Sequence, residues 1–277
     1  MAFGRSAGPA MRYVYGAASP APEHVAVLEE QLRLAHAYRN KLVEIERERR
    51  RRVRELLDQH QDPSLAAQAA ALAQRLEELR SQIRTARQAS RSRAAAGVAD
   101  LQAEARAVRA ELAAVRKVLR EARRRIANDP AIKMELHAID RWSREAMKEA
   151  RADFSRRGLY WPTYGLVEQA AERMRRSKAE PRFRAFTGEG TIAVHLQGGI
   201  PWKELFSGRD TRIQIDPVPP EAWRERGRRR RAKLCNTVAR IRVGSNPDRS
   251  PRWIEVPVWV HRPMPEGGRI KAAYLQR

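Results

Sequence analysis

Apolar residues recur at alternating steps of four and three from 65 to 86, as Leu65, Ala69, Leu72, Leu76, Leu79, Ile83 and Ala86. The same alternation returns from 98 to 126, as Val98, Leu101, Ala105, Val108, Leu112, Val115, Leu119, Ala122 and Ile126. A seam of this spacing requires helices that bury one narrow face against each other. The polar run SRSR at 90–93 and Gly97 offer a turn between the two series. They therefore predict an antiparallel coiled-coil hairpin over about 63–127, whose second arm would run roughly 43 Å at 1.5 Å per residue.

Further helices flank this hairpin. After ASPAPE at 18–23, a helix should begin near Glu23, with Leu28, Leu32, Ala35, Tyr38, Leu42, Ile45, Val53 and Leu56 inward and the run RERRRR at 47–52 on its exposed sides. Asp62-Pro63 ends it. Asn128-Asp129-Pro130 caps another helix, from about 131 to 157, whose apolar face is Ile132, Leu136, Ile139, Trp142, Ala146 and Phe154 and which Gly158 stops. Thr163 is the expected cap of a fifth helix, about 163–177. Beyond Pro181 the pattern changes from Ala, Leu, Glu and Arg to Val, Ile, Thr, Gly and Pro. FRAFTG, TIAVHLQG, TRIQIDPV, NTVARIRVGS, RWIEVPVWVH and RIKAAYLQR each read as a short strand, with RYVY at 12–15 as a further one. The expected fold class is α+β: a long helical, coiled-coil region inserted into a small antiparallel β-barrel of the OB-like kind. The expected boundaries are 1–20 and 181–277 for the β domain and 21–180 for the helices.

Charge narrows the partners. The 277 residues carry 56 Lys and Arg against 33 Asp and Glu, a formal charge of +23, of which +11 lies in residues 181–277. Such a balance favours a polyanion, nucleic acid before an anionic membrane surface, because dense phosphates release counterions when Lys and Arg arrive. No apolar run approaches the roughly 18 residues needed to span a bilayer, and MAFGRSAGPAM lacks the apolar core of a secretory signal. The expectation is a cytoplasmic protein without a membrane partner. A lone cysteine, Cys235, can form neither an internal disulfide nor a cysteine zinc cluster, and the six histidines show no HExxH-like spacing. No cofactor or metal is expected in this chain.

Four stretches, in order, resemble the compact type V CRISPR effectors and within them the type V-M subgroup: LRLAHAYRNKLVEIE at 32–46, GLYWPTYGLVEQA at 158–170, RFRAFTGEGTIAVHLQGG at 182–199 and VARIRVGSNPDRSPRWIEVPVWVHRPMP at 238–265. The resemblance implies a wedge β domain interrupted by a helical recognition domain, in a protein that binds double-stranded DNA under the direction of a guide RNA. It implies as partners the CRISPR guide RNA, the target duplex, and a C-terminal region with a nuclease-like domain and a zinc-bearing module. The sequence stops at Gln276-Arg277 inside what would be the wedge. It offers no recognisable carboxylate set for a two-metal site, so it is expected not to be an enzyme. Type V-M proteins resemble nucleases in fold but are thought to silence by binding without cutting. The competing class is a basic coiled-coil and β scaffold that binds nucleic acid without a guide.

The candidate contacts divide into two groups. For DNA they are Tyr160, Thr163, Arg39, Asn40, Lys41, Arg182 and Arg184. For RNA they are Arg228, Arg229, Arg230, Arg231, Lys233, Arg240 and Arg242. GLYWPTY at 158–164 gathers three aromatics in a chain with few, where the resemblance puts the return from helices to wedge. Trp161 is read as core packing, and Tyr160 and Thr163 as facing the DNA that flanks the guide-matched sequence. In the first helix, Arg39, Asn40 and Lys41 form a polar patch, since Asn can read adenine edges and Arg guanine; the alternative is plain helix surface. The run GRRRRAKLC at 227–235 reads as phosphate binding through guanidinium forks, against the alternative of a solvated charge run. Gly188 and Gly190 would admit a ligand close to the backbone or simply make a hairpin turn. His195 and His261 are given no chemistry.

Overall fold

The computed structural model describes residues 14, 16–89, 95–195, 199–217, 235–246, 248–260 and 268–277. Six helices and eight strands follow in the order β1 (Gly16–Ala17), α1 (Pro22–Gln59), α2 (Pro63–Ala89), α3 (Ala95–Asn128), α4 (Pro130–Arg156), α5 (Trp161–Arg176), β2 (Thr191–His195), β3 (Ile200–Pro201), α6 (Trp202–Leu205), β4 (Ile213–Ile215), β5 (Thr237–Ser245), β6 (Pro251–Trp259), β7 (Arg269–Ile270) and β8 (Ala273–Gln276). The chain divides into two compact units, one of residues 45–146 and the other of residues 1–44 with 147–277.

In the unit of residues 45–146, α2 and α3 bury Leu76, Leu79, Ala105 and Leu112 together, with Leu72, Ile83, Leu101 and Val108 partly buried beside them. These residues belong to the two periodic series, and burying them is what offsets the cost of ordering two Ala-rich helices. Arg75 reaches Glu104 at 2.7 Å, and Arg123 reaches Asp58 at 2.6 Å. Both are exposed pairs, worth little by themselves. Glu46 is buried, and guanidinium groups of Arg49 and Arg50 hold it at 2.8 Å each. Arg52 lies 3.8 Å over the ring of Trp142.

The other unit centres on the sheet β1-β6-β5-β4, all antiparallel, with β2-β8 and β3-β7 as separate antiparallel pairs. Its core joins Ile192, Val194, Ile200, Leu205, Ile241, Val243, Ile254 and Val256 to Leu28 and Leu32 of α1. This corrects the expected barrel. The sheets stay open, with β1 and β4 as edges of only two and three residues. Apolar surface that would otherwise be covered by barrel closure is instead covered in part by α1. Most described residues are helical. FRAFTG is also not a strand: residues 181–187 pair with no ladder. Gly190, read from the sequence as admitting a ligand or making a hairpin turn, lets the backbone approach α1, where an added Cβ would stand 3.0 Å from Leu32 Cδ2.

Within the same unit, Tyr38 is fully buried against Phe154, ring centroids 5.1 Å apart, and its hydroxyl donates to Glu168 Oε1 at 2.6 Å. Arg151 donates Nε to the same oxygen at 2.7 Å and Nη2 to the other. Burial first, then the bond to Glu168, pushes the phenol well above the usual tyrosine range. Tyr38→Phe is expected to cost about 2 kcal/mol, since a hydrogen bond to a charged group is lost in a dry site. Urea unfolding with an unchanged m-value checks this.

Candidate nucleic-acid interface

Asn40 in α1 bonds both backbone groups of Arg184: its Nδ2 donates to the carbonyl at 3.0 Å and its Oδ1 accepts from the amide at 3.2 Å. The side chain thus replaces a ladder partner for the segment 181–187, which pairs with no strand. Arg39 adds a bond from Nη2 to the Arg182 carbonyl at 3.3 Å and another from Nη1 to Asn40 Oδ1 at 3.1 Å. Phe186 anchors the far end, 5.5 Å from the His36 ring and 5.7 Å from the Arg33 guanidinium. Side chains of Arg182 and Arg184 are exposed, and neither has a carboxylate partner among the described residues. Burial first, and then the Arg184 charge beside it, holds the Arg39 pKa below its ordinary value. Two neighbouring guanidinium groups of this kind offer donors of the type that pair with phosphate or carboxylate oxygens.

Sequence reading had grouped Arg39, Asn40, Lys41, Arg182 and Arg184, and the structure brings Arg39, Asn40, Arg182 and Arg184 together. It changes their roles. Asn40 is committed to holding the backbone of Arg184, so it is not free to read a base edge. Lys41 turns away to pair with Glu44 at 2.9 Å.

At 158–164 the expected division of roles is reversed in exposure. Gly158 (φ +92°) ends α4 with the Ser155 carbonyl bonded to its own amide and the Phe154 carbonyl to that of Leu159, a left-handed stop that suits glycine. Gln31, itself buried, then clamps the turn: Nε2 donates to the Gly158 carbonyl at 2.8 Å, and the Tyr160 amide donates to Oε1 at 3.0 Å. Tyr160 is only 6% exposed, and burial is the main cause that raises its pKa. Thr163, 1% exposed, does not cap α5; its hydroxyl accepts the Ala193 amide at 3.2 Å and donates to the Ala193 carbonyl at 3.3 Å. Trp161 is 42% exposed and meets Tyr160 edge-on at 6.2 Å. Trp161 is the aromatic that presents a face to solvent, and its signal was in the sequence. Two residues along a helix turn by about 200°, so an inward Thr163 implies an outward Trp161.

The β strands contribute less free charge than expected. Arg240 pairs across strands with Glu255 at 3.1 Å. Arg242 donates to the Gly244 carbonyl at 2.9 Å and to Ser245 Oγ at 2.7 Å. Arg212, missed by sequence reading, forks onto buried Asp210 with Nη2 at 2.6 Å from Oδ2. Burial pushes the Asp210 carboxyl up, but the Arg212 guanidinium and the amides of Arg212 and Ile213 outweigh it and hold the carboxyl low. Arg228, Arg229, Arg230, Arg231 and Lys233 lie outside the described residues. Among the described residues there is no group of three or more His, Cys, Asp or Glu able to hold a metal ion, and no helix is long and apolar enough to cross a membrane.

Comparison with known proteins follows the same direction. The chain matches no family model. It is 32% identical over 268 residues, 96% of its own length, to a CRISPR-associated DNA-binding protein Cas12m from Allomeiothermus silvanus, of which it covers 43%. It is 30% identical over 272 residues to a protein of the same description from Gordonia otitidis, covering 90% of this chain and 44% of that one. A third, from Thermanaerosceptrum fracticalcis, is 34% identical over 124 residues, 43% of this chain and 21% of that one. The chain spans less than half the length of the curated relatives it matches.

Proposed function

Homology over nearly its whole length places this chain in the Cas12m family of type V-M CRISPR effectors, and on that premise we propose that it supplies RNA-guided binding of double-stranded DNA, with no cleavage chemistry of its own. The observation that carries this reading is the uncompensated pair Arg182 and Arg184 beside Arg39, built on backbone that Asn40 fixes in place. Guanidinium groups held on rigid backbone meet phosphates without further ordering cost. We assign this rim to the DNA backbone and leave out Lys41, which Glu44 already holds. Trp161, in place of Tyr160 and Thr163, is assigned to a base of the flanking DNA or the first unpaired step. The cationic run Arg228–Arg231 with Lys233, and with it Arg240 and Arg242, is assigned to the guide RNA. In this reading residues 21–180 act as a recognition lobe and the strand-rich parts as a wedge, completed by the rest of the effector. Base pairing supplies the choice of sequence.

The test is preference for a guide. The purified chain is expected to bind a CRISPR repeat RNA more tightly than random RNA of equal length, with affinity that falls steeply as salt rises. Equal affinity for both at moderate salt would mark a guide-free scaffold instead. Trp161→Ala is expected to weaken binding of a flanking-motif duplex by about 1–3 kcal/mol, the usual contribution of one stacked base, and to leave thermal stability unchanged because the indole is partly solvated. An unchanged affinity, or a parallel loss of stability, would return Trp161 to packing.

A further inference from the structure

A groove of about 430 Å³ lies along the hairpin, lined by Ala69, Ala70 and Ala73 of α2 and by Arg116, Leu119, Arg120 and Arg123 of α3. Its two walls differ in kind. The α2 wall belongs to PSLAAQAAALAQ at 63–74, which has no charged residue at all; the α3 wall belongs to RKVLREARRR at 116–125, with six basic residues and one acidic. Arg116 has no carboxylate three or four positions away on α3, and neither has Arg120; each has instead another arginine four positions on, at 120 and 124. Like charges at that spacing repel. Neither Arg116 nor Arg120 has an ion-pair partner among the described residues. Arg123 is different: Asp58 at 2.6 Å and Gln61 at 3.1 Å fix it at one end of the groove.

The floor is also unfinished. Leu76, Leu79, Leu112 and Val115 of the α2–α3 seam are buried, but Leu65, Ala69, Leu72, Ala73, Leu119, Ala122 and Ile126 remain half-buried. At the groove α2 offers mainly alanines, too short to cover the larger α3 side chains, so the seam is fully closed only in its middle; Ile83, Ala86, Val98 and Leu101 toward the turn are half-buried as well. A half-wetted apolar floor under unpaired guanidinium groups is complementary to one kind of object: a surface that is itself apolar along a stripe and acidic at its margins.

We propose that this groove docks an acidic amphipathic α-helix from a partner protein, laid against α2 and α3 as a third strand of the bundle. Leucine-type residues of the partner would fill the Ala69–Ala70–Ala73 floor against Leu119. Its Glu or Asp residues would meet Arg116 and Arg120, which lie one turn apart, about 6 Å along the axis at 1.5 Å per residue. A nucleic-acid backbone suits the groove less well. Its lining offers no aromatic face for a base and no polar group besides the arginines, so phosphates would leave the apolar floor wet. This inference is independent of the guide-dependent reading above.

The probe is a synthetic helix-forming peptide with Leu at i, i+3, i+4 and i+7 and Glu along both flanks, measured against the full chain by fluorescence anisotropy. Two controls keep its length. One replaces every Leu by Ser and retains the charge; the other replaces every Glu by Lys. The acidic amphipathic peptide is expected to bind at least about tenfold more tightly than the Ser control, and the Lys control not at all. Arg116→Glu with Arg120→Glu should weaken that binding about tenfold or more, with an unchanged melting temperature because both side chains are exposed. Ala73→Gln, which fills the floor without altering charge, should weaken it as well. Equal binding of the Leu and Ser peptides would overturn the proposal, since any polyanion would then do. So would loss of single-stranded DNA binding in the double variant with no effect on the peptide, because that outcome makes the groove a phosphate track.

Discussion

Thr163→Val is expected to destabilise the chain by about 3 kcal/mol, while Thr163→Ser costs less than about 1 kcal/mol. Valine matches threonine in shape but carries no hydroxyl, and that hydroxyl is the partner of both backbone groups of Ala193, a residue that is itself fully buried. On the valine chain, one amide and one carbonyl are left dry and unpaired, each at roughly 1–3 kcal/mol. Serine keeps the hydroxyl and loses only a methyl contact. Gln31→Leu should act on the same turn with a smaller cost, about 2 kcal/mol, because the Tyr160 amide is buried but Gly158 is exposed and its carbonyl can be rehydrated. Urea titration gives the ordering Val, then Leu at 31, then Ser. If Thr163→Val proved as stable as the parent and failed instead to bind duplex DNA, Thr163 would be a contact residue and the packing account above would be wrong.

That contrast shows where sequence reading reached and where it stopped. The helices between 22 and 156 were legible because each carries a long periodic face, ended by Pro63, Pro130 or Gly158, and periodicity summed over many residues outweighs single-residue accidents. The strand-rich part was legible only as short elements. Whether six such elements close into a barrel depends on what covers their apolar face. Here α1 covers it through Leu28 and Leu32, residues that sequence alone assigns to a helix but not to a sheet. FRAFTG alternates as a strand does, yet its backbone partner is the side chain of Asn40, 144 positions from Arg184, with Arg39 holding Arg182 just before it. No local pattern carries that. The stretch GLYWPTY was found for the right reason, an unusual density of aromatics, but its inward and outward residues were exchanged. Thr163 was taken for a helix cap when its hydroxyl was needed by Ala193, so the phase of α5 that would have turned Trp161 outward was not used. Charge runs were more misleading than apolar ones, because many of the arginines in view hold carboxylates or carbonyls, as Arg49 and Arg50 hold Glu46 and Arg242 holds the Gly244 carbonyl.

Arg182→Glu with Arg184→Glu is expected to weaken binding of a short duplex DNA about 100-fold at moderate salt and to leave the fold intact. The fold argument comes first. Asn40 and Arg39 hold this segment through the backbone of residues 182 and 184, so the two side chains can be replaced without touching the bonds that fix them. The binding argument follows from charge. Two guanidinium groups that release counterions from phosphate are removed, and two carboxylates that repel phosphate take their place. The slope of log affinity against log salt should become shallower by about 2, one for each lost contact. Replacement by alanine should give the same change of slope with a smaller loss of affinity. Stability should move in the opposite direction. Arg39 now carries a like charge at Arg184 beside it, and a carboxylate there offers a partner instead, so Arg184→Glu alone should raise stability by a few tenths of a kcal/mol, as exposed pairs usually do. A gain in stability together with a loss of binding is the mark of a site whose charges are kept for a ligand and against the interest of the fold. Unchanged affinity and slope would make the pair ordinary solvated surface, and a loss of binding that tracks a loss of stability would make it structural.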